Sequence, residues 1–157
     1  MLHLLLEHSS SEKWLFFTFI LSLLHHIDHI LRIDHSGFPF LSRVSPFTYS
    51  LFVYPIFLII ALFPKQPWYR VIGTLLLFLF ATISHIFFEP MKDKFHTWAY
   101  GSNLKYHIGE HNMLNYNSKF LGVCSIALAI LLSVSLLVTL ILFIKDAKQN
   151  SLHIDKT

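Results

Sequence analysis

Twenty-five consecutive residues, FLGVCSIALAILLSVSLLVTLILFI (120–144), contain no charged side chain. As a helix rising 1.5 Å per residue, the run would be roughly 37 Å long. That exceeds the hydrocarbon core of a bilayer, about 30 Å thick, so a transmembrane helix is predicted. Three further segments obey the same logic. The first runs from Lys13 to Arg32, with Ser10, Ser11 and Glu12 placed to start a helix. The second, FTYSLFVYPIFLIIALF (47–63), contains Pro55, which should bend it. The third begins at Arg70, reaches Glu89 and stops at Pro90. The predicted fold is all-α: an integral membrane, multi-pass four-helix bundle with spans at about 13–32, 47–63, 70–89 and 120–144. Tails at 1–12 and 146–157 flank it, the second polar and expected to be disordered. The long connection between helices three and four (91–119) carries Trp98, Tyr100, Tyr106 and Tyr116, and is expected to lie on the membrane surface.

Composition narrows the function. Hydrophobic residues make up 54% of the 157-residue chain, mean hydropathy is +0.56, and the net charge of +3 comes from scattered Lys and Arg. A nucleic-acid partner would call for a concentrated basic face. The single cysteine, Cys124, allows no internal disulfide. The opening MLHLLLEHSSSEK has no basic n-region and carries Glu7 and Glu12, so the first apolar segment is expected to remain a helix. Positive charges divide six against six between the two sides of a four-span chain, leaving orientation open, as is the oligomeric state.

The first span ends in HHIDHILRIDH (25–35), where burying Asp or Arg in hydrocarbon costs about 2.5–3.5 kcal/mol each. Helices one and three run in the same direction, so their C-terminal ends and both subsequent connections share one side. Eight of the eleven histidines (25, 26, 29, 35, 85, 96, 107 and 111) therefore gather at one end of the bundle. At about 100° per residue, His25, Asp28, His29 and Arg32 form one stripe, with His26 roughly 60° away. His85 and Glu89 are four apart and share a face of helix three. HIGEH (107–111) repeats the pattern of HHIDH (25–29): a histidine, a carboxylate three residues on, a histidine four on.

These residues are imidazole and carboxylate donors from three segments, the ligand types of zinc and non-haem iron, and thiolate sites are excluded. The expected ligands are His25, Asp28, His29, His85, Glu89, His107, Glu110 and His111, enough for one ion or two. Glu110 and Glu89 are the expected catalytic carboxylates. H-x-x-E-H also occurs in the inverzincin metalloproteases. In composition and sidedness the chain resembles the membrane fatty-acid hydroxylases and desaturases, whose di-iron centres sit in histidine boxes at one membrane face. Their consecutive H-x-x-H-H boxes are absent here and the chain is much shorter, so no residue roles are carried over.

The leading expectation is a metal-dependent membrane enzyme taking a lipid or other apolar substrate from the bilayer. Iron would oxidise it; zinc would hydrolyse it. A second reading is an electron carrier with non-covalent haem between His25 or His29 and His85, there being no C-x-x-C-H. A proton or metal pathway is disfavoured because the half of the bundle nearer the tails reads as almost wholly apolar. A non-catalytic subunit of a membrane complex is the fourth reading. Plainer explanations exist for single residues. Helix one could end near Leu24 with its polar residues in water, although eleven apolar residues would then be too few to span. His85 and Glu89 could snorkel as an interfacial pair. Trp14, Trp68 and Trp98 suit interfacial belts. Arg32 suits either an anchor to lipid phosphate or a counter-ion to Asp28, and the last helix reads as a structural wall with small residues for close packing.

Overall fold

The computed structural model describes residues 9–32, 50–63, 66–101 and 112–154, and every regular element among them is helical. Helix α1 spans Ser10–Arg32, α2 Val53–Leu62, α3 Pro67–Ile83, α4 Met91–Tyr100 and α5 Lys119–Ile154; a π-helical turn, Ser84–Phe88, continues α3. Three stretches are long and apolar enough to cross a membrane: Ser10–Arg32, Pro67–Phe88 and Lys119–Leu152. The second predicted span is described only in part. Its described helical part, Ser50–Leu62, would be about 20 Å long, and residues 47–49 lie outside the described set. Pro55 sits in the first turn of α2, where its missing N–H costs little.

Local chemistry sets the helix ends. Ser9 caps α1 reciprocally with Glu12: each backbone N–H donates to the other's side-chain oxygen at 3.3 Å. Pro67 begins α3, where its fixed φ suits the first turn. Gly101, at φ 79°, ends α4 with its N–H bonded to the Thr97 carbonyl at 3.1 Å. Ser118 Oγ accepts from the Leu121 N–H at 3.3 Å and opens α5.

Helix α5 is the hub, packing against α1, α3 and α4, while α2 rests on α3. Leu132, Leu136, Leu140 and Phe143 of α5 meet Leu15 and Leu21 of α1 and Val71 and Leu77 of α3 in one core. Apolar side chains also cover the outside, among them Phe16, Ile27, Leu79, Ile130 and Ile141. Hydroxyl groups point inward instead. Thr18 of α1 bonds Ser135 and Thr139 of α5, at 2.5 and 3.0 Å. Ser11 donates to Asp146 at 2.6 Å, and Ser125 to Asp28 at 2.6 Å. Such hydroxyl seams suit helices associating in lipid, where apolar contact offers no advantage over acyl chains. Two expectations are thereby corrected. The tail-side half of the structure is not wholly apolar inside, because Thr18, Thr74, Ser135 and Thr139 are buried there. The C-terminal segment is helical through Ile154, because Asp146 is tied to α1 and Ala147 lies in the core.

The connection after α3 contains α4, which is drawn against α5. A Cβ added to Gly122 would lie 2.9 Å from Phe95 Cδ2 and 3.1 Å from the Phe95 carbonyl oxygen. Backbone cannot swing aside as a side-chain tip can, so Gly122→Ala should push α4 off α5. The expected loss of stability is about 1–3 kcal/mol, the usual range for overpacking. Unfolding in detergent measures it, and a variant as stable as the parent would contradict the close approach.

Candidate metal centre

Two helix ends build the centre. The last turns of α1 present His25, His26 and His29; the π turn presents His85, and Glu89 comes directly after it. In the π turn the Glu89 N–H reaches back five residues to the Ser84 carbonyl at 2.9 Å, and Pro90 then stops the segment. Single π turns of this kind often occur at functional sites, because the extra residue changes the direction in which neighbouring side chains point.

His25, His85 and Glu89 form a group that could hold a metal ion: one ligand atom from each lies within 4.8 Å of the other two. All three side chains are buried. The rings of His25 and His85 meet edge to face, with centroids 4.9 Å apart. His29 stands beside them, its Nε2 at 3.1 Å from His25 Nε2 and 2.9 Å from Glu89 Oε2. Arg32 approaches His29 Nδ1 at 3.3 Å. An arginine can only donate, so His29 Nδ1 accepts and its Nε2 carries the proton towards Glu89.

Both ring nitrogens of His85, and Nδ1 of His25, are buried without a hydrogen-bond partner among the described residues. Leaving such a group unsatisfied costs about 1–3 kcal/mol. A bound cation could take one lone pair from each ring, and two imidazoles with a carboxylate form a donor set that could hold a metal ion. Glu89 is more heavily engaged, pairing with Arg32 through one oxygen and with Lys94 and His29 through the other. A carboxylate offers about four lone-pair directions, so roughly one remains for an ion.

The remaining expected ligands divide. Asp28 turns towards α5 rather than to the group, accepting from Ser125 at 2.6 Å, Trp98 Nε1 at 2.8 Å and Arg32 Nε at 3.3 Å. The expected pairing of Arg32 with Asp28 is present, and Arg32 reaches Glu89 as well. His107, Glu110 and His111 lie outside the described residues. Trp98 is no interfacial belt residue: it is 3% exposed and holds Asp28. Trp14 and Trp68 are exposed as expected.

Lys94 is the residue that sequence reasoning overlooked. It lies on α4 with its ammonium fully buried against Glu89. Burial pulls its pKa down to about 8, against the opposing pull of the Glu89 carboxylate. A single lysine in a mixed-charge segment, MKDKFHTW, carries no signal of burial. Only the docking of α4 creates one.

From the histidines a cavity of about 70 Å³ runs between α1 and α3. That is room for an ion and a few waters, or for part of a small ligand. Ser22, His26 and Ser84 edge its polar part; Phe57, Leu77, Phe80, Leu132 and Leu136 make the rest apolar. Comparison with protein-family models, curated protein sequences and solved structures returned no match.

Proposed function

We propose that the chain is a small four-pass membrane metalloenzyme, with α2 as a short fourth crossing, that oxidises an apolar or lipid substrate at iron held by His25, His85 and Glu89. One observation carries this reading: His85 is buried with neither nitrogen hydrogen-bonded among the described residues, beside a second histidine and a carboxylate. His25, His85 and Glu89 would hold the iron, which would supply oxygen-activating chemistry. His29 orients Glu89 by hydrogen bond, and Arg32 and Lys94 hold that carboxylate in place. The apolar part of the cavity would receive the portion of substrate to be oxidised and exclude water from it.

Zinc hydrolysis is the weaker chemistry. It requires a general base, Glu89 is itself a ligand in this arrangement, and Asp28 faces away. Glu110, the other expected base, remains part of the proposal only for a second ion or as a base contributed from the 102–111 segment. Haem is disfavoured on geometry, since rings in contact at 4.9 Å leave no slot for a porphyrin between His25 and His85. A second reading has its own support. Asp28 and Glu89 against Arg32 and Lys94 sum to zero charge with no ion, as in a purely structural network.

Metal analysis separates the two. The protein, purified in detergent without a histidine tag and exposed to Fe(II) under anaerobic conditions, should retain about one iron per chain after desalting, with no Soret band. Retention of zinc in preference to iron would redirect the reading to hydrolysis. Retention of neither would leave the structural network.

A further inference from the structure

At the opposite end of α1, roughly 25 Å along the helix from His29, Arg70 separates two openings. One is a groove of about 500 Å³ between α1 and α2, lined by Leu15, Phe16, Phe19, Leu58 and Ala61. The other is a polar pocket of about 170 Å³ lined by Ser9, Arg70, Asp146, Gln149 and Asn150. Arg70 borders both. Its guanidinium lies 4.2 Å above the Phe143 ring, with Nη2 3.6 Å from Glu12 Oε1. The residue is 7% exposed, and its Nε is buried with no hydrogen-bond partner among the described residues.

We infer that this end of the structure binds one zwitterionic phospholipid, with an acyl chain in the groove and the headgroup in the polar pocket. The groove lies between α1, long and apolar enough to cross a membrane, and the shorter apolar α2, so its natural occupant is an acyl chain. The two openings meet at a cation, as a glycerophospholipid requires where its chains join the phosphate. Arg70 would donate to the phosphate through its guanidinium, whose Nε lacks an acceptor among the described residues, and planar guanidinium groups favour such contacts. Charge selects the headgroup. Asp146 lines the same pocket and Glu12 borders the groove, so a purely anionic headgroup meets repulsion while an ammonium finds an acceptor. Gln149 and Asn150 add neutral donors and acceptors around it. This site stands apart from the histidines and does not depend on the metal reading.

The test is native mass spectrometry of the full chain. The protein is stripped of lipid in detergent, then offered phosphatidylethanolamine, phosphatidylglycerol with the same acyl chains, or inorganic phosphate. One phosphatidylethanolamine per chain should remain bound. Arg70→Gln should weaken retention about tenfold or more, as loss of a charge-assisted contact implies. Ala61→Phe places bulk in the groove from an exposed position, so it should expel the lipid while leaving the fold intact. Circular dichroism of both variants shows whether they are folded, and Ala61→Phe provides the decision if Arg70→Gln is not. Equal retention in the folded variants, a preference for phosphatidylglycerol, or competition by free phosphate at equal concentration would each overturn the proposal.

Discussion

Replacing His85 by leucine is expected to abolish metal retention while making the metal-free protein more stable. Most buried substitutions do the reverse, so the pair of outcomes is diagnostic. The ring of His85 forms no hydrogen bond with any described residue, so its loss removes no hydrogen bond and costs only the edge contact with His25. Leucine is similar in bulk and removes two buried polar atoms, each costing about 1–3 kcal/mol when unsatisfied. The metal-free variant should therefore gain stability of about that order. Metal affinity should fall by more than about 100-fold, the upper end of what is lost when only a ligand's supporting partner is removed. His26→Leu is the control, because His26 lines the cavity but stands outside the group of three. It should keep its iron. Unchanged iron in His85→Leu, or a less stable metal-free protein, would show that His85 serves packing instead.

Glu89→Ala should have the largest effect on folding, a loss of about 3–5 kcal/mol, the cost of removing one partner from a buried ion pair. Arg32 and Lys94 are both fully enclosed and both pair with this carboxylate. Without it, two cations stay buried in a low-dielectric setting, and Asp28, which also pairs with Arg32, already serves Trp98 and Ser125. Adding Lys94→Met should recover part of the loss, since one uncompensated charge is then gone. Equilibrium unfolding in mixed detergent measures the single variants and the pair, and the cycle yields the coupling energy. Additive losses would mean that Lys94 and Glu89 do not share one network. Iron should also be lost from Glu89→Ala, whereas Lys94→Met alone should retain it.

Helix content and the position of the site along the chain axis were legible in the sequence. Uninterrupted apolar runs located α1, α3 and α5, and the polar residues at the end of α1 and at His85 and Glu89 showed where the runs would meet. The second span is short in the sequence, and its described helical part, Ser50–Leu62, is likewise shorter than the other three. The last helix packs as a wall, and the partners of its hydroxyls were not legible. Ser125, Ser135 and Thr139 look incidental in an apolar run, yet each bonds a side chain of α1.

Asp28 and Glu89 mark where sequence-level reasoning stops. Both are carboxylates at the end of an apolar helix, four residues from a histidine or an arginine, and both were expected to bind metal. The helical period relates the side chains of one helix to each other, but it does not say which way the helix is turned about its axis. Packing decides that. Ser125 and Trp98 draw Asp28 towards α5 and α4, which leaves His25 and His29 facing α3. The amino-acid sequence by itself determined that this chain forms apolar helices and that imidazoles collect at one end, since both result from local hydropathy and chain direction. Only the tertiary structure decided which carboxylate meets the histidines, that a lysine is buried beside it, and that Arg70 joins two cavities. Those outcomes depend on contacts between segments far apart in the chain.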